Sequence, residues 1–153
     1  MKDLSQLGRK IKTFLFSIDN KTRIDIIKVF FYTGYFRAFI LFVPFNKLSK
    51  RMGQAKTESP AEAEIPEYKE ARRVAWIVNN VSRYTPWESK CLVQALTAQK
   101  LLKKRNISTT IYLGVKKDDE GKMIAHAWTR CGKYYVTGGI NKAGFAVVAK
   151  FAS

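Results

Sequence analysis

The hydrophobic period of this 153-residue chain changes near Ile107, and that change constrains the fold more than any other feature. Before it, "EYKEARRVAWIVNNVSRY" places Tyr68, Ala71, Val74, Ala75, Ile77, Val78 and Val81 at helical spacing. "KCLVQALTAQKLLKKRNI", Lys90 to Ile107, continues the pattern with Leu92 and Leu96 on one face and Cys91, Ala95, Ala98 and Leu102 on another. Lys103, Lys104 and Arg105 suit the negative end of a helix dipole, and Asn106 suits a C-cap. After Ile107, "TTIYLGVKK", "MIAHAWTR", "YYVTGG" and "GFAVVAKF" read as strands, with turns at "KDDEG" and "CGK". Helices followed by an antiparallel meander predict an α+β fold, with helices on one face of a sheet.

Composition divides the chain into three. Residues 1–52 form a basic, aromatic-rich helical block with 11 Lys or Arg against 3 Asp, a net charge of +8. Half of the chain's +16 therefore sits in its first third, which favours a docking surface for an anionic partner. "IIKVFFYTGYFRAFILFV" is the most apolar stretch, but Lys28 and Arg37 interrupt it and Pro44 ends it. Its helices should pack on protein or lie on a membrane surface through residues 26–45, rather than span one. Residues 53–66, "GQAKTESPAEAEIP", have a linker composition, and residues 67–153 carry the globular pattern. The N-terminus shows no secretory signal and there are only two cysteines, so the expected setting is a reducing cytoplasm with free thiols.

Two residues carry the candidate chemistry. Cys91 stands near a helix start, where the dipole and free N–H groups favour a thiolate. His126 is the only histidine. On a strand it shares a face with Ile124 and Trp128, and if that face packs on the Cys91 helix the ring reaches the thiol. Helix register matters. Thr85, Pro86 and Glu88 form a capping-box pattern that would put Cys91 in the second turn, whereas a start at Ser89 puts it in the first, as catalysis requires. Spacing alone leaves open a buried small cysteine and a structural histidine. Cys131 reads as an incidental hairpin thiol. Cys91, His126 and Cys131 make a poor zinc set, lacking a fourth ligand and a close-spaced cysteine pair, so no metal or cofactor is expected.

The run from "CLVQAL" through "LGV" to "AHAW", with its short turn and following hydrophobic strand, resembles the leader peptidases of lasso peptide biosynthesis, a transglutaminase-like, papain-related family of cysteine proteases. "VPFNKLSKRMG" adds to the likeness. The resemblance implies a catalytic helix packed on an antiparallel sheet, with Cys91 as nucleophile and His126 as base. It implies removal of the leader from a ribosomally made precursor peptide. The implied partners are that leader, a separate leader-recognition protein and an ATP-dependent lasso cyclase.

One departure stands out. The family commonly orients its histidine with an Asp on the next strand, but no acidic residue follows Glu120. The candidates are Asn141, a main-chain carbonyl near Gly138 or Gly139, or an acid from elsewhere. Trp128 is a candidate wall of a substrate cleft. Two other classes fit the residues: a catalytically silent binding module of the same fold, and a basic nucleic-acid-binding protein, for which no recognition motif is present.

Overall fold

The structure, a computed structural model, describes residues 2–153, without the side chains of residues 2–4, 7 and 15. Helices α1 (Lys2–Ser17), α2 (Asn20–Phe42), α3 (Phe45–Ser49), α4 (Ile65–Ser82) and α5 (Cys91–Lys103) precede most of the sheet. The strands are β1 (Gln54–Ala55), β2 (Thr110–Lys117), β3 (Met123–Cys131), β4 (Tyr134–Thr137) and β5 (Ala146–Ala152). Every strand pairing is antiparallel, and the architecture is α+β. Among the described residues, no helix is long and apolar enough to cross a membrane.

The sheet order is β1-β5-β2-β3-β4, not a meander. β5 crosses back to pair with β2, Ile111 opposite Phe151, leaving β4 at the far edge. The crossing starts at Gly138, whose φ of +68° turns the chain out of β4. The strand content of "GFAVVAKF" is legible by alternation, but its partner depends on this crossing, which alternation does not encode.

Residues 53–66 act as a strap. Gln54 and Ala55 pair with the end of β5, and the Ser59 N–H donates to buried Thr110 Oγ1 at 2.8 Å. Arg130 donates to the carbonyls of Ser59 and Pro60, at 3.0 and 2.9 Å. The polar composition of this stretch thus marks a surface segment with specific hydrogen-bond partners.

Local chemistry sets the helix ends. Asp19 caps α2 by accepting the Thr22 N–H, and Pro44 follows its end. At the start of α4 the Glu67 carboxylate accepts the Glu64 N–H at 2.7 Å. α5 has no side-chain cap at its N-terminus. A cap is worth about 1 kcal/mol, whereas Leu96, Leu101 and Leu102 on α5 are each buried, and burying such a side chain contributes about 1.5–3 kcal/mol. Packing therefore outweighs capping and positions this helix.

Two apolar clusters fill the space between helices and sheet. One joins Val29 of α2 to Val74, Ile77 and Val78 of α4, to Leu101 and Leu102 of α5, and to Cys131. The other joins Phe36 of α2 and Leu48 of α3 to Val93 and Leu96 of α5 and to Ile111, Ala127 and Phe151 of the sheet. α2 belongs to both, so the boundary at 53–66 separates compositions while the cores run across it. Buried Asp25 of α2 is bridged by Arg73 of α4 and by Arg105 just past α5, and Glu70 pairs with both arginines. This network fastens the three helices at one end.

Candidate active site

Cys91 is the first residue of α5, with Lys90 at the N-cap position. "TPWES" is a separate turn, in which Thr85 Oγ1 lies 2.7 Å from Ser89 Oγ and donates no cap to the helix. The main helix thus begins where a first-turn cysteine needs it to, one residue later than a Ser89 cap would place it. Its first turn carries N–H groups that no side chain satisfies, so dipole and donors both point toward the thiol region.

The turn before Cys91 is held by α2. Trp87 donates its indole N–H to Thr33 Oγ1 at 3.1 Å and packs on Phe30. A Cβ at Gly34 would meet the Trp87 ring at 2.8 Å, so that glycine opens the seat for the indole. Glu88 bridges Arg37 of α2 and Lys90. The apolar block at the N-terminus therefore fixes the approach to the candidate nucleophile, a role that periodicity alone does not reveal.

His126 lies on β3 opposite Gly114 of β2 and is half-buried. Its Nε2–H donates to the Gly138 carbonyl at 2.8 Å. A carbonyl only accepts, so the proton of the neutral ring sits on Nε2 and the lone pair on Nδ1. The ring stacks on Trp128, centroids 5.7 Å apart, and meets Phe145 at 5.2 Å. Gly114 leaves room for this cluster, because a Cβ there would meet the Trp128 ring at 2.7 Å.

The sheet register corrects one expectation. The face of β3 that packs on α5 carries Ala127, Thr129 and Cys131, not His126 and Trp128. Thr129 Oγ1 donates to the Ala95 carbonyl of α5. The reason is size. Ala95 and Ala98 let the strand approach closely, and only the small residues of β3 fit there. His126 and Trp128 project from the other face, and no hydrogen bond joins the His126 ring to the Cys91 thiol, which is half-buried. Cys91 packs against the apolar cluster to which Ala127, the residue after His126, belongs. Pairing of β3 with β4 covers only Thr129–Cys131, so beside His126 that edge of β3 has no strand partner.

The structure separates the candidates for the histidine's second partner. Gly138 supplies its carbonyl, one of the main-chain groups the sequence allows. Asn141 is exposed in a turn and makes no hydrogen bond to His126, which corrects its candidacy as the orienting residue. Trp128 is only 5% exposed, enclosed by Tyr112, His126 and Phe145, so it supports the ring from beneath and does not face an open cleft. Phe145 goes unrecognised in the sequence, since "GFAVVAKF" reads as strand throughout. Gly114 within a strand is the available signal of close packing.

The two thiols differ in surroundings. Cys131 is fully buried, and burial pushes its pKa up, which keeps it protonated and unreactive. Among the described residues no cluster of His, Cys, Asp or Glu could hold a metal ion.

The profile of the transglutaminase-like superfamily matches residues 39–150, from the second half of α2 to β5. The chain therefore belongs to the transglutaminase-like superfamily. No curated protein matches it, and no solved structure does.

Proposed function

We propose that this chain is a cysteine peptidase that removes the leader from a ribosomally synthesised lasso peptide precursor. One observation carries the reading: in a transglutaminase-like domain, Cys91 opens an uncapped helix beside the strand whose histidine has Nδ1 free and Nε2 held. The "CLVQAL", "LGV" and "AHAW" motifs support the narrower assignment to leader removal. A recognition protein would present the leader, and the ATP-dependent cyclase would use the freed core amine.

The chemistry follows from the parts. His126 takes the Cys91 proton at Nδ1, the thiolate attacks the scissile carbonyl carbon, and the developing oxyanion is received by first-turn N–H groups, that of Cys91 among them. The C–N bond breaks as His126 gives a proton to the departing core amine. The leader is then held as a thioester, which a water deprotonated by His126 cleaves, freeing the leader carboxylate and restoring the thiol. The cycle requires His126 and Cys91 to come within hydrogen-bond reach. A peptide bound along the unpaired edge of β3 would draw them together, as catalytic contacts often tighten only with substrate in place.

The test is mass spectrometry of precursor incubated with the purified protein and its recognition partner. Cleavage at one bond, lost in Cys91→Ala and retained in Cys131→Ala, is the expected outcome. Retained cleavage by Cys91→Ala sinks the nucleophile assignment. Precursor binding without cleavage in the unaltered protein points to a silent binding module.

A further inference from the structure

The first 52 residues combine exposed apolar and basic groups beyond what the core uses. On α2, Ile24, Ile27, Phe31, Tyr35 and Phe42 recur at spacings of three, four and seven and are all exposed, Phe31 at 65% and Phe42 at 83%. They form one stripe on the side of α2 turned away from the clusters that hold Val29 and Phe36. Lys21 and Lys28 lie beside this stripe and are exposed. On α1, Ile11 and Phe14 share a face, with Lys10 and Lys12 each about 100° to either side. Apart from the contact of Phe14 with Trp76 of α4, little of α1 is engaged with the fold. Asp19 is the only exposed acidic side chain among the described residues of this block.

We propose that α1 and the outer stripe of α2 form a peripheral binding surface for anionic lipid. This goes beyond the peptidase reading and does not depend on it. Charge complementarity selects the occupant. Apolar side chains flanked by lysines, on helices that do not span, match the boundary between acyl chains and negative headgroups. The aromatics would insert at that boundary, and the lysines would meet the headgroups on either side.

Co-sedimentation of the full chain with phosphatidylglycerol vesicles, and with phosphatidylcholine vesicles as control, tests the proposal. Binding to the anionic vesicles, weakened by high salt and slight on the neutral ones, is expected. Phe31→Ser with Phe42→Ser should weaken it by about tenfold or more, and Lys10→Glu with Lys12→Glu by a comparable factor. All four positions are exposed, so an unchanged circular dichroism spectrum is expected for both variants. Failure to bind anionic vesicles overturns the proposal, as does undiminished binding by both variants. If vesicle binding is absent and a concentration-dependent dimer is abolished by the Phe31 and Phe42 changes, the surface belongs to a second copy of the chain and the lipid proposal is wrong.

Discussion

The two faces of β3 obey opposite rules. One presents Ala127, Thr129 and Cys131 to α5, small and almost entirely buried, and tolerates no bulk. The other presents His126, Trp128 and Arg130, large and polar-edged, and it carries every side-chain hydrogen bond that ties this strand to the strap and to the Gly138 turn. Alternation along one strand thus separates seating the Cys91 helix from orienting the His126 ring. The two tasks meet only at the strand edge that β4 leaves open. A substitution on one face should therefore fail in stability, and one on the other in chemistry.

The largest effect should come from placing a carboxylate at Gly138. Gly138→Asp puts a side chain on a residue with φ of +68°, where a Cβ would lie 2.5 Å from the Ala127 carbonyl and 3.0 Å from His126 Nε2. Left-handed geometry costs about 1–2 kcal/mol for a residue with a Cβ, and the backbone clash adds to it. A loss of about 2–4 kcal/mol in urea unfolding is expected, with turnover falling as the carbonyl leaves the imidazole. A variant that is both stable and faster would show that the turn accommodates a carboxylate and that the main-chain partner is dispensable. Gly139 offers no easier position, since its Cβ would meet Tyr135 Cβ at 2.4 Å.

Ala127→Leu breaks the comparison from the helix side. Overpacking this seat should destabilise by about 1–3 kcal/mol, while cleavage per folded molecule changes little if the start of α5 holds its place. A loss of turnover with stability unchanged would mean that the two faces are coupled more tightly than their separate contacts imply.

Much of this was legible in the residues, and the rest was not for physical reasons. Hydrophobic period locates α4, α5 and the strands, because it depends on neighbours two to four residues away, whereas the start of α5 carries no side-chain cap and the capping pattern at Thr85 marks a separate turn. The side of β3 that meets α5 depends on which residues are small enough, and a reading that follows the histidine chooses the wrong face. The pairing of β5 with β2 rests on a crossing set by Gly138, a long-range fact. Cys91 and His126 stand out as residue types in a suggestive order. That Gly138 rather than Asn141 serves His126 follows from a backbone carbonyl, which every residue has and no sequence pattern marks.

A smaller effect should appear in acid, at the other end of the helices. The Arg73 hydrogen bond, helped by the charges of Arg105, Arg73 and Lys21, holds the Glu70 pKa below its ordinary 4.5. A carboxylate with a folded pKa below its unfolded one stabilises the fold above the unfolded value and loses that contribution as pH falls through the folded one. The melting temperature should therefore decline as pH drops below about 4.5, and Glu70→Gln should flatten part of the decline. Cleavage measured at neutral pH should be unaffected by Glu70→Gln, because the cluster lies among α2, α4 and the end of α5, away from Cys91.

The smallest expected effect sharpens the comparison most. Asn141 is the one polar residue near the end of the chain that could stand in for the absent Asp by residue type alone. In the fold its side chain is exposed in the crossing turn, while His126 Nε2 is already engaged by Gly138. Asn141→Ala should leave stability within about 0.5 kcal/mol, as surface substitutions generally do, and precursor turnover within about twofold. A tenfold fall in turnover with precursor binding unchanged would place Asn141 on the histidine in the substrate complex, and the Gly138 contact would then belong to the resting state alone. An unchanged rate leaves the carbonyl as the orienting group. A neutral carbonyl stabilises the imidazolium less than a carboxylate does, so on the proposed peptidase reading the acylation step should be slow. Single-turnover kinetics on precursor, with the thioester trapped by acid quench, would show that step directly.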